Sequence, residues 1–193
     1  TQADPYLAEK LSEIEIALLE NLGEEAEGLP LEVNQVFALD WFNGRRSPDA
    51  DPHRRGLIGG LSLGTTPVHI FTALVEATCF GSKAIIERIE SEGIVIKGIN
   101  AVGGIAQKSR FVLQMLADIL DRPIRVASYE QVCALGAAMF ASVVDGIYKN
   151  VEEAAEHLGQ GFSKTIQPRA EYVSFYALRY IDYKRYGALQ EQI

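Results

Sequence analysis

The chain has 193 residues, which fits one domain with at most a helical appendage. Hydrophobic residues make up 48% and charged residues 23%, a globular composition that excludes an intrinsically disordered chain. The formal net charge is −8, and this argues against general binding of nucleic acid, because that affinity depends on neutralising phosphates.

Other composition features narrow the class further. No apolar run approaches the roughly 20 residues of a membrane span, so we expect no membrane partner. His53, His69 and His157 lack the spacing of metal ligands, so we expect no metal site. Cys79 and Cys133 lie in apolar helical surroundings, and we expect both to be buried free thiols in a reducing cytoplasm.

The first forty residues predict a helix and then a short strand. Residues 5–22 have the spacing of an amphipathic helix, which we expect to end at Gly23. Its acidic side chains, eight within residues 1–30, indicate a solvated helix face more strongly than an interaction tail. Residues 36–39 predict a strand, and residues 40–60 a loop. The apolar stripe of the helix is Leu7, Leu11, Ile14, Leu18 and Leu22.

The rest of the chain alternates strands and helices. Thr66 is a typical N-cap and Pro67 a typical first residue for a helix that runs to about Ser91. The order of elements from 98 to 144 predicts an α/β arrangement with parallel pairing, and the aromatic last thirty residues predict a helix that docks on the domain. The remaining predicted elements are strands at 98–102 and 123–126 and helices at 109–120, 129–144 and 151–158.

The most informative motif is a glycine pair that follows a predicted strand. Gly103 and Gly104 carry no side chain, so the backbone there can approach a flat or anionic ligand. The free amides at the start of the next helix favour negative charge. The same pair is also compatible with a plain tight turn, because it matches neither common phosphate-binding fingerprint.

Two further segments are candidates for a binding crevice. Gly60 and Gly64 lie in a second glycine-rich stretch that leads into a helix, so the two glycine groups could line one crevice. Asn43, Arg45 and Arg46 lie on a loop that is either a salt-bridged surface turn or a segment that positions or covers a substrate. The sequence offers no Ser-His-Asp set, so it predicts a binding crevice more clearly than a catalytic centre.

These motifs together resemble the C-terminal half of the FGGY carbohydrate kinases. Residues 103–109 are similar to the adenosine-side motif of that family, and residues 130–138 to its closing helix. The resemblance extends over about residues 36–155, with the motifs in the family's order. The other matching segments are 40–49, 60–66 and 70–78.

The resemblance implies an α/β fold of the actin-like ATPase (ribonuclease H-like) class, a mixed sheet with flanking helices. It implies a C-terminal nucleotide-binding domain over 1–193, with a helical insertion (1–35), a core (36–155) and a helical tail (156–193). The implied reaction transfers the γ-phosphoryl group of ATP, with Mg²⁺, to the terminal hydroxyl of L-ribulose, giving L-ribulose 5-phosphate in cytoplasmic arabinose catabolism.

The family's site residues carry over by position. Gly103 and Gly104 would pass against the adenosine or α-phosphate, and Gly60 and Gly64 would line the opposite wall of the nucleotide slot. Lys108 and Ser109 fall near the adenine. Asn43, Arg45 and Arg46 would lie on the substrate or cleft loop, which the two arginines would help to hold in place.

Three parts of the family pattern have no match in residues 1–193: the sugar-binding domain, the catalytic Asp and the Gly-Thr-Ser-type phosphate loop. We therefore expect the chain to be the C-terminal domain of a longer kinase and to be inactive alone, with the sugar held by the missing domain. The alternatives are a kinase of another pentose or polyol, or a non-catalytic actin-like nucleotide-binding module. A homodimer is also possible.

Overall fold

The computed structural model describes residues 5–31, 35–104, 109–129, 131–159 and 161–190 of the chain. Helices and short strands are interspersed along these residues. The helices are α1 (Pro5–Glu27), α2 (Pro67–Ser91), α3 (Arg110–Leu120), α4 (Val132–Val144), α5 (Val151–Leu158) and α6 (Ala170–Gln190). The strands are β1 (Phe37–Leu39), β2 (Leu57–Gly59), β3 (Ile99–Ala101), β4 (Ile124–Ala127) and β5 (Phe162–Ile166).

The described strands form two small sheets. In the first, β1 and β2 pair antiparallel, with Phe37 opposite Gly59. In the second, β3 and β4 pair parallel, which confirms the predicted parallel pairing, and β5 adds to β4 in the antiparallel sense. The sequence did not indicate β2, which lies inside the predicted 40–60 loop, or β5, which lies inside the predicted 156–193 tail.

The N-terminal helix differs from its prediction in two ways. It continues through Gly23 to Glu27, because one glycine inside a helix costs only about 1 kcal/mol. Its expected apolar stripe is exposed at Leu11, Ile14 and Leu18, each more than half accessible. Within the described residues, α1 therefore packs mainly through its last turns, where Ala26 is buried.

The core forms where α2 meets α3 and α6. Ala73 and Ala77 are fully buried under β1, because their small side chains let the helix lie close to the strand. Phe80 on α2 packs against Tyr176 and Tyr180 of α6, which confirms that the aromatic C-terminal helix docks on the domain. By length and composition alone α2 could also cross a membrane, but these contacts are those of a core helix.

The small-residue helix α4 is mostly exposed. Among its residues only Met139 is buried, while Phe140 is 62% and Val144 89% accessible. Cys133 is likewise exposed, so the expectation that both thiols are buried was wrong for this residue. The expectation holds for Cys79, which faces the core, and burial raises the pKa of its thiol.

Two ion pairs with a buried carboxylate join α6 to the rest of the chain. Asp118 on α3 is fully buried and accepts hydrogen bonds from the backbone N–H of Arg169 at 2.7 Å and from its Nη2 at 2.6 Å. Glu76 on α2, also buried, pairs with the guanidinium of Arg179. Both pairs were missed in the sequence, since their members lie far apart along the chain.

We expect Asp118→Ala to lower the free energy of unfolding by about 3 kcal/mol, because the Arg169 hydrogen bonds lose their buried acceptor. Asp182→Ala is the matched control, since it removes an exposed pair with Arg185 and should cost less than about 0.5 kcal/mol. Urea unfolding followed by circular dichroism measures both. Similar losses for the two variants would contradict the structural role of Asp118.

Candidate nucleotide-binding site

The glycine pair after β3 forms an open turn in which the chain bends at Gly103 and becomes helical at Gly104. Gly103 has a φ of +86°, a conformation that side chains rarely adopt, so this position needs glycine. A Cβ placed on Gly103 or Gly104 would meet no atom within 4 Å among the residues that the structure describes, so these residues leave space beside the turn. A flat ligand could therefore lie against this backbone, as the motif predicts.

The turn leads towards the start of α3. Ser109 is the N-cap of this helix, and its hydroxyl oxygen accepts a hydrogen bond from the backbone N–H of Val112 at 3.3 Å. The Ser109 hydroxyl oxygen therefore already accepts a hydrogen bond from its own helix. The N-terminal end of α3 nevertheless favours an anion, because of the helix dipole. Lys108, the other predicted residue of this segment, lies outside the described residues.

Gly60 and Gly64 occupy the stretch between β2 and α2. Gly60 has a φ of +76°, and a Cβ there would collide with the carbonyl oxygen of Gln35. Its glycine is therefore required by the close approach of two backbone segments, whether or not a ligand is present. Gly64 is exposed, and its N–H donates to the hydroxyl of Ser62 at 3.3 Å in a turn before α2.

Both glycine groups lie at the same end of the domain. Phe71, near the start of α2, stacks on Phe111, at the start of α3, with ring centroids 5.9 Å apart. Gly64 precedes α2 and Gly104 precedes α3, so this aromatic contact holds the two glycine segments on one side. That these glycines line a common crevice stays a prediction, because the contact joins the starts of the two helices and not the glycines themselves.

The structure does not bring the arginine loop to that crevice. Asp49 accepts a hydrogen bond from Arg88, in the last turn of α2, at 2.7 Å. Arg45 lies over the ring of Trp41, 5.4 Å from its centroid. Because α2 has 25 residues and is therefore about 37 Å long, Asn43, Arg45 and Arg46 lie at its far end from Gly64.

Gln114 and Asp118 also belong to the family's adenosine-side motif by resemblance, but the sequence did not indicate the contacts by which they hold α3 in place. The amide of Gln114 donates to Asp118 Oδ1 at 3.0 Å and to the carbonyl oxygen of Gln167 at 2.9 Å. Arg169 closes the same network, and its guanidinium lies 3.3 Å from the centroid of the Tyr172 ring. The sequence shows Asp118 four residues after Gln114, which places the two on one face of a helix. It does not show that Gln167 and Arg169 are their partners.

Comparison with known proteins identifies the family. Residues 6–144 match the description "FGGY family of carbohydrate kinases, C-terminal domain". The chain belongs to this family. It is 38% identical to a ribulokinase from Vibrio parahaemolyticus over 190 residues, which cover 98% of the chain and 34% of the relative. It is 40% identical to a ribulokinase from Halalkalibacterium halodurans, over 86% of the chain and 30% of the relative.

Solved structures of sugar kinases share the fold. Xylulose kinase from Rhodospirillum rubrum superposes with a TM-score of 0.77 at 24% identity, over 97% of the chain and 36% of that protein. Plasmodium falciparum glycerol kinase with ADP gives a TM-score of 0.71 at 20% identity, over 92% of the chain and 34% of that protein. The α/β, actin-like fold class is thereby confirmed. The chain spans about a third of the length of the relatives it matches.

We expect Gly103→Ala to lower the free energy of unfolding by about 1–2 kcal/mol, because alanine resists the positive φ. Gly104→Ala is the matched control: its Cβ enters open space, so the change should stay within about 0.5 kcal/mol. Urea unfolding of the two variants distinguishes them. Equal losses at both positions would contradict the described geometry of the turn.

Proposed function

We propose that the chain is the ATP-binding part of a kinase that phosphorylates L-ribulose to L-ribulose 5-phosphate in the cytoplasm. Membership of a carbohydrate kinase family supports the reaction class, and ribulokinase relatives at about 38% identity support the sugar. The single observation that carries the ATP assignment is the open turn at Gly103 and Gly104, which leaves backbone and free space at the end of β3.

In this proposal the adenosine or α-phosphate of ATP lies against the glycine turn. The first amides of α3 lie near the phosphates, where the helix N-terminus favours negative charge. Gly60 and Gly64 border the same end of the domain, and Lys108 and Ser109 approach the adenine. Mg²⁺ arrives with the nucleotide, because Mg²⁺ in kinases is held largely by phosphate oxygens and water.

In phosphoryl transfer the protein mainly positions the reactants and stabilises the charge that develops. This chain would supply the positioning of ATP. The sugar and the carboxylate base that takes the proton of its hydroxyl group would be supplied by the remainder of a longer protein. The share of each relative that the chain covers, about a third, supports this division of labour.

We expect Gly104→Val to weaken ATP binding by at least about tenfold, because its branched side chain fills the space assigned to the nucleotide. Gly104→Ala should show a smaller loss, since it adds one methyl group. Isothermal titration calorimetry with Mg-ATP measures the affinities, after circular dichroism has shown that each variant is folded. Unchanged affinity in a folded Gly104→Val variant would count against the site.

The chain alone should not turn over ATP with ribulose. A coupled assay of ADP release measures this, and addition of the remainder of the longer protein to which we assign the chain should restore turnover and make ATP binding tighter when ribulose is present. Turnover by the chain alone at the rate of a full-length enzyme would refute the proposed division. Restored turnover with xylulose or glycerol, but not with ribulose, would refute the assigned sugar.

A further inference from the structure

A groove lies at the end of α2 that is remote from the glycine turn. It runs between the loop 40–49, the second half of α2 and the last turns of α6, and it encloses about 640 Å³. This volume is within the range of small-molecule sites in proteins, which is about 300–1,000 Å³. The proposed nucleotide site uses no residue that lines this groove.

Aromatic and small residues shape the floor of the groove. Trp41 is only 7% exposed and closes one side, while Tyr183 closes another. Gly187 packs directly against Trp41, since a Cβ there would lie only 3.1 Å from the ring, whereas a Cβ on Gly81 would meet no atom of the described residues within 4 Å. The free space of the floor therefore lies beside Gly81, with Trp41 and Tyr183 as its aromatic walls.

The carboxylates of the groove already have partners. Asp49 pairs with Arg88 at 2.7 Å, and Glu87 accepts a hydrogen bond from the hydroxyl of Tyr180 at 2.9 Å. Asp40 is half-buried, and burial raises the pKa of its carboxyl group. Asp49 and Glu87 are each held by a neighbouring side chain of the groove.

Two cations that line the groove lack such partners. Arg46 forms no hydrogen bond or ion pair with another residue of the described part of the chain. Lys184 contacts only the ring of Tyr180 among the described residues, with its Nζ 4.5 Å from the centroid. The lining holds four cations and three carboxylates, a positive balance on a chain whose net charge is −8.

We propose that this groove binds a small organic phosphate, with the phosphate between Arg46 and Lys184 and the organic body against Trp41. Guanidinium and ammonium groups are the usual phosphate ligands of proteins, and a charge-assisted hydrogen bond to each is among the stronger polar contacts. The groove is a site separate from the proposed nucleotide site, because α2 keeps the two at its opposite ends.

The test uses Trp41, which is the single tryptophan of the chain and lies in the groove wall. Ribose 5-phosphate is titrated into the whole chain while tryptophan fluorescence and calorimetric heats are recorded in parallel. We expect saturable binding of ribose 5-phosphate, weaker binding of inorganic phosphate and none of ribose, since the phosphate supplies the charge and the body supplies the aromatic contact. Added salt should weaken the binding.

Arg46→Ala and Lys184→Ala should each raise the dissociation constant for ribose 5-phosphate by about tenfold, which is the effect of losing one charge-assisted contact. Arg185→Ala is the matched control: it removes the neighbouring cation, which is 72% exposed and pairs with Asp182 outside the groove, and should leave the constant unchanged. Both Arg46→Ala and Lys184→Ala should retain ATP binding, which keeps this result separate from the glycine-turn experiments.

Three results would overturn the proposal. The first is the absence of heat and of a fluorescence change with ribose 5-phosphate up to about 10 mM, a concentration above that of ordinary metabolite binding. The second is an equal dissociation constant in Arg46→Ala, Lys184→Ala and the unaltered chain, and the third is full competitive displacement of ribose 5-phosphate by ATP, which would assign the binding to the nucleotide site. Inorganic phosphate that binds as tightly as ribose 5-phosphate would contradict the role of Trp41.

Discussion

The ion pair between Glu76 and Arg179 is the contact on which the arrangement of the helices depends. The side chain of Glu76 is 5% exposed and that of Arg179 is 19% exposed, so each charge is stabilised mainly by the other and little by water. Burial raises the pKa of Glu76, and the hydrogen bonds from Arg179 oppose that shift. Arg179 also donates to the carbonyl oxygen of Val36 at 2.8 Å, so one guanidinium joins α6 to α2 and to the residue before β1.

Other contacts along α6 extend this attachment to both of its ends. At its start, Arg169 holds the buried Asp118 of α3. Near its end, Gly187 lies against Trp41, and the carbonyl oxygen of Gln190 accepts a hydrogen bond from Arg54 at 3.3 Å. The 21-residue helix α6 therefore contacts α3, which follows the glycine turn, and also the loop that borders the groove. The predicted C-terminal tail is thus part of the framework of both candidate sites.

The features that the sequence predicted well are local ones. Thr66 with Pro67 and the glycine pair at 103 and 104 work through neighbouring residues, so their patterns are visible in a short window. Hydrophobic runs likewise located β3 and β4, and their order predicted parallel pairing. The glycine turn, which is the centre of the candidate site, belongs to this predictable class.

The features that escaped prediction depend on partners distant in the chain. Strand β5 is almost wholly exposed, so it lacks an apolar signature, and it becomes a strand because β4 offers it an edge. Glu76 and Arg179 are 103 positions apart, and each alone resembles an ordinary surface charge. The distance of Arg45 and Arg46 from the glycine turn also depends on residues far apart in the chain, because the contact between Asp49 and Arg88 places their loop at the end of α2. No local pattern could indicate which end of α2 this loop occupies.

The same framework limits how the two candidate sites could influence each other. Coupling between sites requires an element with two arrangements whose balance both ligands shift. Here α2 reaches from one site to the other as a continuous helix, and the buried pairs fix α2 and α3 against α6. The described residues of the chain therefore contain no evident element with two arrangements that could link the ends of α2. Coupling between the two candidate sites would therefore have to act through motion of this domain against the rest of a longer protein.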